Sequence, residues 1–293
     1  MIPPVLSKVL LGTASWGAEY GIANASKLQP EELPNLVQFS LNMGFSGFDT
    51  AQDYEVKPEV FAAVNSAEIF TKVSHQLGFD SSERIRESLL SDLRAMGRDS
   101  FDGVAVHSVS EFLRAPKDAM RVMDDLKELG LIKSWGISLY TLEECREVFR
   151  VSSPDYIQAP VSAVDARFTK PSTLEMFSKR GTVLHGRSIY LQGALLMNPE
   201  SLPSELRALT PTLSHIRKLA DRQPMPIAHF LLNCVARING VSRLVIGVNS
   251  ASQLKETFKF LSADPVEMPG LPPQFVLTQD EPVLDPRRWR GRS

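Results

Sequence analysis

Three short apolar segments in the first part of the chain each end in an ionisable residue. They end in Asp49, Lys72 and His107, and a tyrosine, Tyr54, follows the first of them. Because burying a strand is favourable only where its side chains are apolar, we expect these tips to face a cleft or solvent. If the tips converge, an acid, a phenol, an amine and an imidazole together form a proton-transfer site.

The segments that carry these tips are predicted to be strands of one parallel sheet. Short apolar runs alternate with amphipathic stretches of helical length, which is typical of α/β proteins. Strands are predicted near residues 8–11, 46–49, 67–72, 102–107, 132–138, 156–160, 182–188 and 242–248. Successive tips lie about one βα unit apart, and a βα-barrel carries its active site at the carboxyl ends of its strands. The predicted fold class is therefore α/β, a parallel eight-stranded (β/α)8 TIM barrel.

The helical pattern agrees with a barrel that has one insertion. A helix is predicted over 112–129, and residues 205–220 and 226–237 predict two consecutive helices before the last strand. The alternative is an open doubly wound sheet, which needs a glycine-rich phosphate turn after its first strand. Residues 11–17, L-G-T-A-S-W-G, do not match G-x-G-x-x-G, so the barrel is favoured.

The sequence suggests one large domain followed by a short extension. No linker-like break occurs before about residue 262, and the rest of the chain is rich in proline. We therefore predict a barrel over 1–262 and a C-terminal extension over 263–293 that packs on or near it.

Composition favours a cytoplasmic protein that acts on small molecules. The formal net charge is -2 over 293 residues, with no long single-sign run, which argues against nucleic acid or an anionic membrane as partner. The 2 cysteines are too few for a disulfide framework, and we find neither a signal peptide nor an apolar stretch long enough to span a bilayer. The remaining histidines lack metal-ligand spacing, so no metal site is expected.

Several blocks of the sequence, taken in order, resemble the aldo-keto reductases. Residues 47–54, G-F-D-T-A-Q-D-Y, are similar to that family's D-T-A-x-x-Y signature, and Lys72 and His107 end segments similar to its next two strand ends. The other similar blocks are G-I-S at 136–138, a glutamine at 158, R-S-I-Y-L-Q-G at 187–193 and G-V-N-S-A-S-Q-L-K-E at 247–256. The ordered similarity covers about residues 7–262 and suggests a bacterial member of the family, of undetermined subgroup.

The resemblance implies a carbonyl–alcohol oxidoreductase that uses a nicotinamide cofactor, and the four tip residues suit that chemistry. Hydride transfer to a carbonyl carbon leaves negative charge on oxygen, which a proton donor must meet. A free tyrosine has a pKa near 10, and a neighbouring Lys72 ammonium is expected to lower it. Asp49 can pair with Lys72, and His107 can hydrogen-bond the carbonyl oxygen. We predict Tyr54 as general acid in reduction and general base in oxidation.

The resemblance also implies a cofactor site. Ser138 and Gln158 are expected to bind the nicotinamide amide, backbone amides over 188–191 the pyrophosphate, and residues after Gly247 the adenosine half. The full expected set is Ser138, Gln158, Arg187, Ser188, Tyr190, Leu191, Gly247, Asn249, Gln253 and Glu256.

Two departures from the family pattern affect the cofactor and the substrate. Arg187 stands where relatives carry an aromatic ring that stacks on the nicotinamide, so it either stacks there itself or binds an anionic substrate group. The segment from Gly247 lacks the lysine and arginine that clamp a 2′-phosphate in many relatives, and Lys255 or Arg243 are the candidates to replace them. We expect NADP, with NAD as the alternative.

The predicted function is NAD(P)H-dependent reduction of an aldehyde or ketone by a monomer or small homo-oligomer, with a sugar or another polar carbonyl as the candidate substrate. The alternative is a regulatory subunit that binds a nicotinamide cofactor and turns over little. An altered loop at 55–58, E-V-K-P, and Arg187 leave room for that alternative.

Overall fold

The computed structural model describes residues 5–17, 21–22, 28–64, 66–223, 225–263 and 271–289. Within these residues, eight strands form a closed barrel in which each strand pairs in parallel with the next and the last pairs with the first. The strands are β1 (Val9–Gly12), β2 (Gly47–Asp49), β3 (Glu68–Val73), β4 (Gly103–Val106), β5 (Trp135–Ser138), β6 (Tyr156–Pro160), β7 (Val183–Arg187) and β8 (Val241–Gly247). The predicted fold class and the eight predicted strands are confirmed.

Helices surround the barrel. They are α1 (Ala14–Gly17), α2 (Leu33–Asn42), α3 (Ser82–Met96), α4 (Val109–Arg114), α5 (Pro116–Glu128), α6 (Leu142–Val151), α7 (Pro171–Ser178), α8 (Thr210–Asp221), α9 (Ile227–Ala236) and α10 (Ala251–Ser262). Short 3-10 helices cover Leu6–Lys8, Pro30–Glu32, Pro58–Phe61, Leu191–Leu196, Pro199–Ser201, Ser204–Leu209, Pro273–Phe275, Pro282–Leu284 and Pro286–Arg288. Both α8 and α9 lie between β7 and β8, which confirms the extra helix. Among the described residues, no helix is long and apolar enough to cross a membrane.

Two predicted helices differ from the structure for local reasons. The helix predicted over 112–129 is two helices, because proline at 116 has no amide hydrogen and forces the preceding residue out of helical geometry. Ala115 accordingly has φ -144° and ψ 62°. The helix predicted over 205–220 starts as the 3-10 helix Ser204–Leu209 and becomes α-helical only at Thr210.

Alternation along the strands separates the barrel interior from the layer beneath the helices. Leu10, Phe70, Ala105, Tyr156 and Val245 form a small buried cluster that is separate from the main core. Because side chains alternate along a strand, Lys72 projects on the same side of β3 as Phe70. The barrel interior is thus apolar at the level of Phe70 and carries the Lys72 ammonium group two residues closer to the carboxyl end of β3.

Gly47 at the start of β2 allows the close approach of β2 and β3. A Cβ on Gly47 would lie 2.0 Å from the carbonyl oxygen of Glu68. We expect Gly47→Ala to lower the free energy of unfolding by about 1–3 kcal/mol or more, since this is the cost of a typical overpacked substitution. Urea denaturation measures the change.

Gly247→Ala is the matched control for that prediction. Among the described residues no atom lies within 4 Å of a Cβ added at Gly247, so its stability should change by less than about 0.5 kcal/mol. Equal stability of the two variants would contradict the steric account.

The described part of the C-terminal extension contacts the barrel through charged groups. Asp280 accepts hydrogen bonds from the backbone amides of Leu142 and Glu143 at the start of α6, at 2.9 and 3.2 Å, and from buried Arg167 at 2.8 Å. Trp289 is buried. Of the segment predicted as an extension, residues 264–270 and 290–293 lie outside the described residues.

Candidate active site

The ends of β2 and β3 place a buried ion pair in the mouth of the barrel. Lys72 Nζ donates to Asp49 Oδ1 at 2.7 Å and to the Thr50 carbonyl oxygen at 2.9 Å. Gln158, from β6 across the barrel, donates its side-chain amide to Asp49 Oδ2 at 2.6 Å. Each charge is therefore neutralised and hydrogen-bonded, which a buried ion pair requires if it is to be tolerated.

Tyr54 and His107 complete the group of residues predicted from the strand tips. Tyr54 follows β2 in a turn closed by its amide on the Ala51 carbonyl, and Lys72 Nζ lies 5.2 Å from the centre of its ring. The ring of His107, directly after β4, meets the Tyr54 ring edge-on with centroids 6.1 Å apart. The structure thus brings Asp49, Tyr54, Lys72 and His107 together.

The acidity of Tyr54 differs from the sequence-based expectation. Desolvation by the surrounding protein raises the pKa of Tyr54, the negative charge of Asp49 raises it further, and Arg187 opposes both. We expected Lys72 to lower this pKa, but the Lys72 charge is paired with Asp49, whose carboxylate acts on the phenol in the opposite sense. Tyr54 is therefore a neutral phenol at physiological pH, able to donate a proton.

Asp53 is a site residue to which the sequence reasoning assigned no role. Its Oδ2 lies 2.9 Å from His107 Nδ1 and 2.8 Å from His75 Nδ1, and Asp53 accepts from the His75 backbone amide at 3.0 Å and from the Ser74 hydroxyl. Burial favours its neutral form, but these bonds outweigh burial and lower the pKa of Asp53 to about 2. The available signal was an ionisable residue directly before Tyr54.

Arg187 at the end of β7 lies over an aromatic ring of the protein. Its guanidinium lies 4.2 Å from the centre of the Tyr140 ring and donates to the Leu139 carbonyl at 3.0 Å and the Ser188 hydroxyl at 3.1 Å. Arg287 of the C-terminal extension lies at 4.3 Å from the same ring. The Tyr140 ring therefore connects the extension to the rim of the site.

A cavity of about 500 Å³ opens beside Asp49 and Tyr54 and runs between the carboxyl ends of β1, β7 and β8. Of the residues expected to bind a cofactor, those lining it are Arg187, Ser188, Tyr190, Gly247, Asn249, Gln253 and Glu256. The other three, Ser138, Gln158 and Leu191, are buried and do not line it. Its lining also includes residues that were not predicted as cofactor contacts: Gly12, Ser15, Gly21, His229 and Thr257.

The loop after β7 carries unusual backbone geometry. Ser188, Leu191 and Gln192 have φ of 60°, 46° and 54°, which is left-handed backbone that side-chain-bearing residues rarely adopt. Such conformations cost about 1–3 kcal/mol each and cluster at ligand-binding segments. The Gln192 carbonyl accepts from the Ile22 amide at 3.0 Å, which joins this loop to the segment after β1.

The end of β8 is organised by local capping and by one contact to α1. Ser250 caps α10, Gln253 accepts from the Asn249 amide at 2.8 Å, and Ser15 donates to the Asn249 side chain. Of the two candidates for a 2′-phosphate contact, Lys255 lies over the ring of Phe39. Arg243 is paired with Glu68 at the amino-terminal ends of β8 and β3, so it cannot reach the cavity and that candidate is wrong.

Comparisons with known proteins agree with this geometry. The Aldo/keto reductase family profile matches residues 8–267. The methylglyoxal reductase DkgA of Escherichia coli O157:H7 is 28% identical over 153 residues, which are 50% of this chain and 54% of that protein. The chain thus matches about half the length of this curated relative.

Solved structures share the fold at low sequence identity. The aldo-keto reductase AKR11C1 from Bacillus halodurans, in its holo form, has a TM-score of 0.70 at 18% identity, covering 89% of this chain and 88% of that one. The aldo/keto reductase from Klebsiella pneumoniae in complex with NADP and acetate has a TM-score of 0.61 at 17% identity, covering 87% and 86%. Given the profile match over nearly the whole barrel, the chain belongs to the aldo/keto reductase family.

Proposed function

We propose that the protein reduces an aldehyde or ketone to an alcohol with a reduced nicotinamide cofactor. The observation that carries this proposal is a neutral tyrosine, Tyr54, beside a buried Asp49–Lys72 ion pair and a histidine, with Tyr54 and Asp49 lining one cavity. Membership of the aldo/keto reductase family supports the same chemistry.

Each residue has a role that follows from its geometry. Tyr54 donates its phenolic proton to the oxygen that gains negative charge as the carbonyl carbon is reduced. Lys72 lies close enough to stabilise the tyrosinate left behind, and Asp49 holds Lys72 in place. Tyr54 regains its proton from solvent after the alcohol has formed. In the reverse direction Tyr54 must first lose its proton, which its raised pKa opposes.

The residues present fit a nicotinamide cofactor. A bound reduced nicotinamide would supply the hydride, which moves with its electron pair to the carbonyl carbon. Gln158 lies behind the cavity lining, where it donates to Asp49, and its side-chain oxygen has no partner in the described part of the chain. This unpaired acceptor suits a primary amide such as the nicotinamide carboxamide. The left-handed loop from Ser188 to Gln192 and the cavity volume also suit a large ligand with phosphates.

We propose NADP as the preferred cofactor, with NAD as the rival. NADP is present in the Klebsiella pneumoniae relative, which supports this choice. With Arg243 committed to Glu68, Lys255 at the start of α10 is the remaining candidate of the two for a 2′-phosphate contact.

The substrate is proposed to be a small polar carbonyl compound. Arg187 lines the cavity beside Tyr54, and its charge acts on both Tyr54 and His107. A guanidinium at this position favours substrates that carry hydroxyl or anionic groups near the carbonyl. The similarity to a methylglyoxal reductase supports small carbonyl compounds.

A substrate panel tests the proposed function. Aldehydes, ketones and keto-sugars are each supplied with NADPH or NADH, and cofactor oxidation is followed by absorbance. We expect turnover with at least one polar carbonyl and faster turnover with NADPH than with NADH. Rates equal to those in buffer across the panel, with cofactor binding intact, would instead favour a cofactor-binding regulatory subunit.

A further inference from the structure

We propose that Asp53 is a positioning residue that keeps the ring proton of His107 on Nδ1. Neutral His107 then meets the substrate with Nε2 as a hydrogen-bond acceptor, and so recognises a hydroxyl rather than a carbonyl oxygen. This inference deepens the proposed function and rests on it for its consequence for substrate, but the state of the His107 ring is measurable without turnover.

The contacts of Asp53 determine which atom carries the proton. Asp53 Oδ2 lies 2.9 Å from His107 Nδ1 and also accepts from the backbone amide of His75 at 3.0 Å. The other oxygen, Oδ1, accepts from the Ser74 hydroxyl. A carboxylate surrounded by donors carries no proton and can only accept. The hydrogen in the contact with His107 must therefore belong to Nδ1.

The hydrogen-bonding role of the second ring nitrogen, Nε2, follows from the protonation of Nδ1. A neutral imidazole has one N–H and one lone-pair nitrogen, so Nε2 is an acceptor whenever Nδ1 carries the proton. Among the described residues Nε2 has no hydrogen-bond partner, and 28% of the His107 side chain is exposed. Nε2 is thus available to a substrate group beside Tyr54, whose ring contacts the His107 ring edge.

The charges around His107 set when it changes from acceptor to donor. Burial lowers the pKa of His107, and the positive charges of Lys72 and Arg187 lower it further, while Asp53 partly opposes them. Below that pKa the imidazolium donates from Nε2 to a carbonyl oxygen. Above it, neutral His107 accepts from an alcohol. Reduction should therefore weaken as the pH rises through this pKa, and alcohol oxidation should strengthen.

His75 provides a matched control, because it contacts the same carboxylate oxygen from the solvent side. Its Nδ1 lies 2.8 Å from Asp53 Oδ2, and 58% of its side chain is exposed. His75→Ala removes this side-chain contact but retains the backbone amide that donates to Asp53. If the contact between Asp53 and His107 determines which ring nitrogen of His107 is protonated, His75→Ala should leave that nitrogen the same as in the native protein.

Nitrogen-15 NMR of the full chain labelled in its 5 histidines tests the proposal directly. The His107 signals are assigned by their loss in His107→Gln, and long-range proton–nitrogen correlations report which nitrogen is protonated. We expect Nδ1–H in the native protein and in His75→Ala, and a substantial Nε2–H population in Asp53→Ala. Nε2–H in the native protein, or unchanged Nδ1–H in Asp53→Ala, would overturn the proposal.

Asp53→Asn keeps the test decisive if Asp53→Ala does not fold. It retains an acceptor oxygen and loses the charge, so the pKa of His107 measured in the same NMR titration should fall below its native value. An unchanged pKa would show that the carboxylate does not act on His107, and the proposal would fail.

A kinetic readout then connects the ring to the reaction. In the native protein, kcat/KM for carbonyl reduction should fall about tenfold or more across the His107 titration, because a charged donor to the carbonyl oxygen is lost. In Asp53→Ala the neutral ring can donate from Nε2, so this fall should shrink severalfold; a fall as steep as in the native protein overturns the proposal. If no carbonyl is reduced by any variant, the proposed function fails, while the NMR result still decides the role of Asp53.

Discussion

Tyr54→Phe will lose about 10²–10⁴-fold in the rate of carbonyl reduction, because it removes the proton that must reach the developing alkoxide. The substitution removes one oxygen from a side chain that lines the cavity and leaves its ring in contact with His107. Cofactor binding should stay nearly unchanged, since the phenol acts on the substrate oxygen. The measurements are kcat under saturating NADPH and titration of the cofactor by its fluorescence.

Tyr156→Phe is the matched control for this loss. Tyr156 lies in the barrel interior, where its hydroxyl is buried and has no partner in the described part of the chain. Removing that oxygen should leave kcat within about twofold of the native value, since the deletion breaks no hydrogen bond. If Tyr54→Phe reduced substrate at the native rate, the assignment of Tyr54 as general acid would be wrong.

Lys72→Met is expected to destabilise the protein by about 3–5 kcal/mol as well as to slow it. The variant leaves the Asp49 carboxylate buried, and among the described residues its one remaining side-chain partner is the amide of Gln158. Breaking one side of a buried ion pair carries this cost because the remaining charge is uncompensated. Urea denaturation measures the change in the free energy of unfolding.

Two further variants establish whether burial causes this loss. Lys127 and Asp155 form a pair of similar length, 2.8 Å, whose side chains are 35% and 39% exposed, so Lys127→Met should cost no more than about 1 kcal/mol. The double variant Asp49→Asn with Lys72→Met removes both buried charges and should recover part of the stability. A loss in Lys72→Met no greater than that in Lys127→Met would refute the account.

The surroundings of Tyr54 suit the reductive direction. Desolvation and the charge of Asp49 keep the Tyr54 phenol protonated, so the donor is ready before substrate binds. Arg187 is a cation whose charge favours the tyrosinate. The cost of holding Lys72 in the barrel is met by its bonds to Asp49 and Thr50.

Features that depend on local pattern could be predicted from the sequence. Short apolar runs spaced about one βα unit apart predicted strands, so the positions of Asp49, Lys72 and His107 at strand ends followed from hydropathy and spacing. The capping box at the start of α6, with Thr141 and Glu144, is equally local and was readable from the residue types. The order of motifs supplied the family resemblance.

Tertiary structure alone decided how the residues act on one another. Asp53 and His107 are far apart in sequence, and only closure of the barrel brings them to 2.9 Å. The pKa of Tyr54 is raised by desolvation and by the charge of Asp49, which is itself paired with Lys72. These effects come from neighbours on several strands. The pairing of Arg243 with Glu68 at the opposite end of the barrel has the same origin. Local sequence pattern predicts the strand or helix from which a side chain projects. The groups that this side chain contacts, and whether it carries a proton, depend on distances and burial in the folded chain.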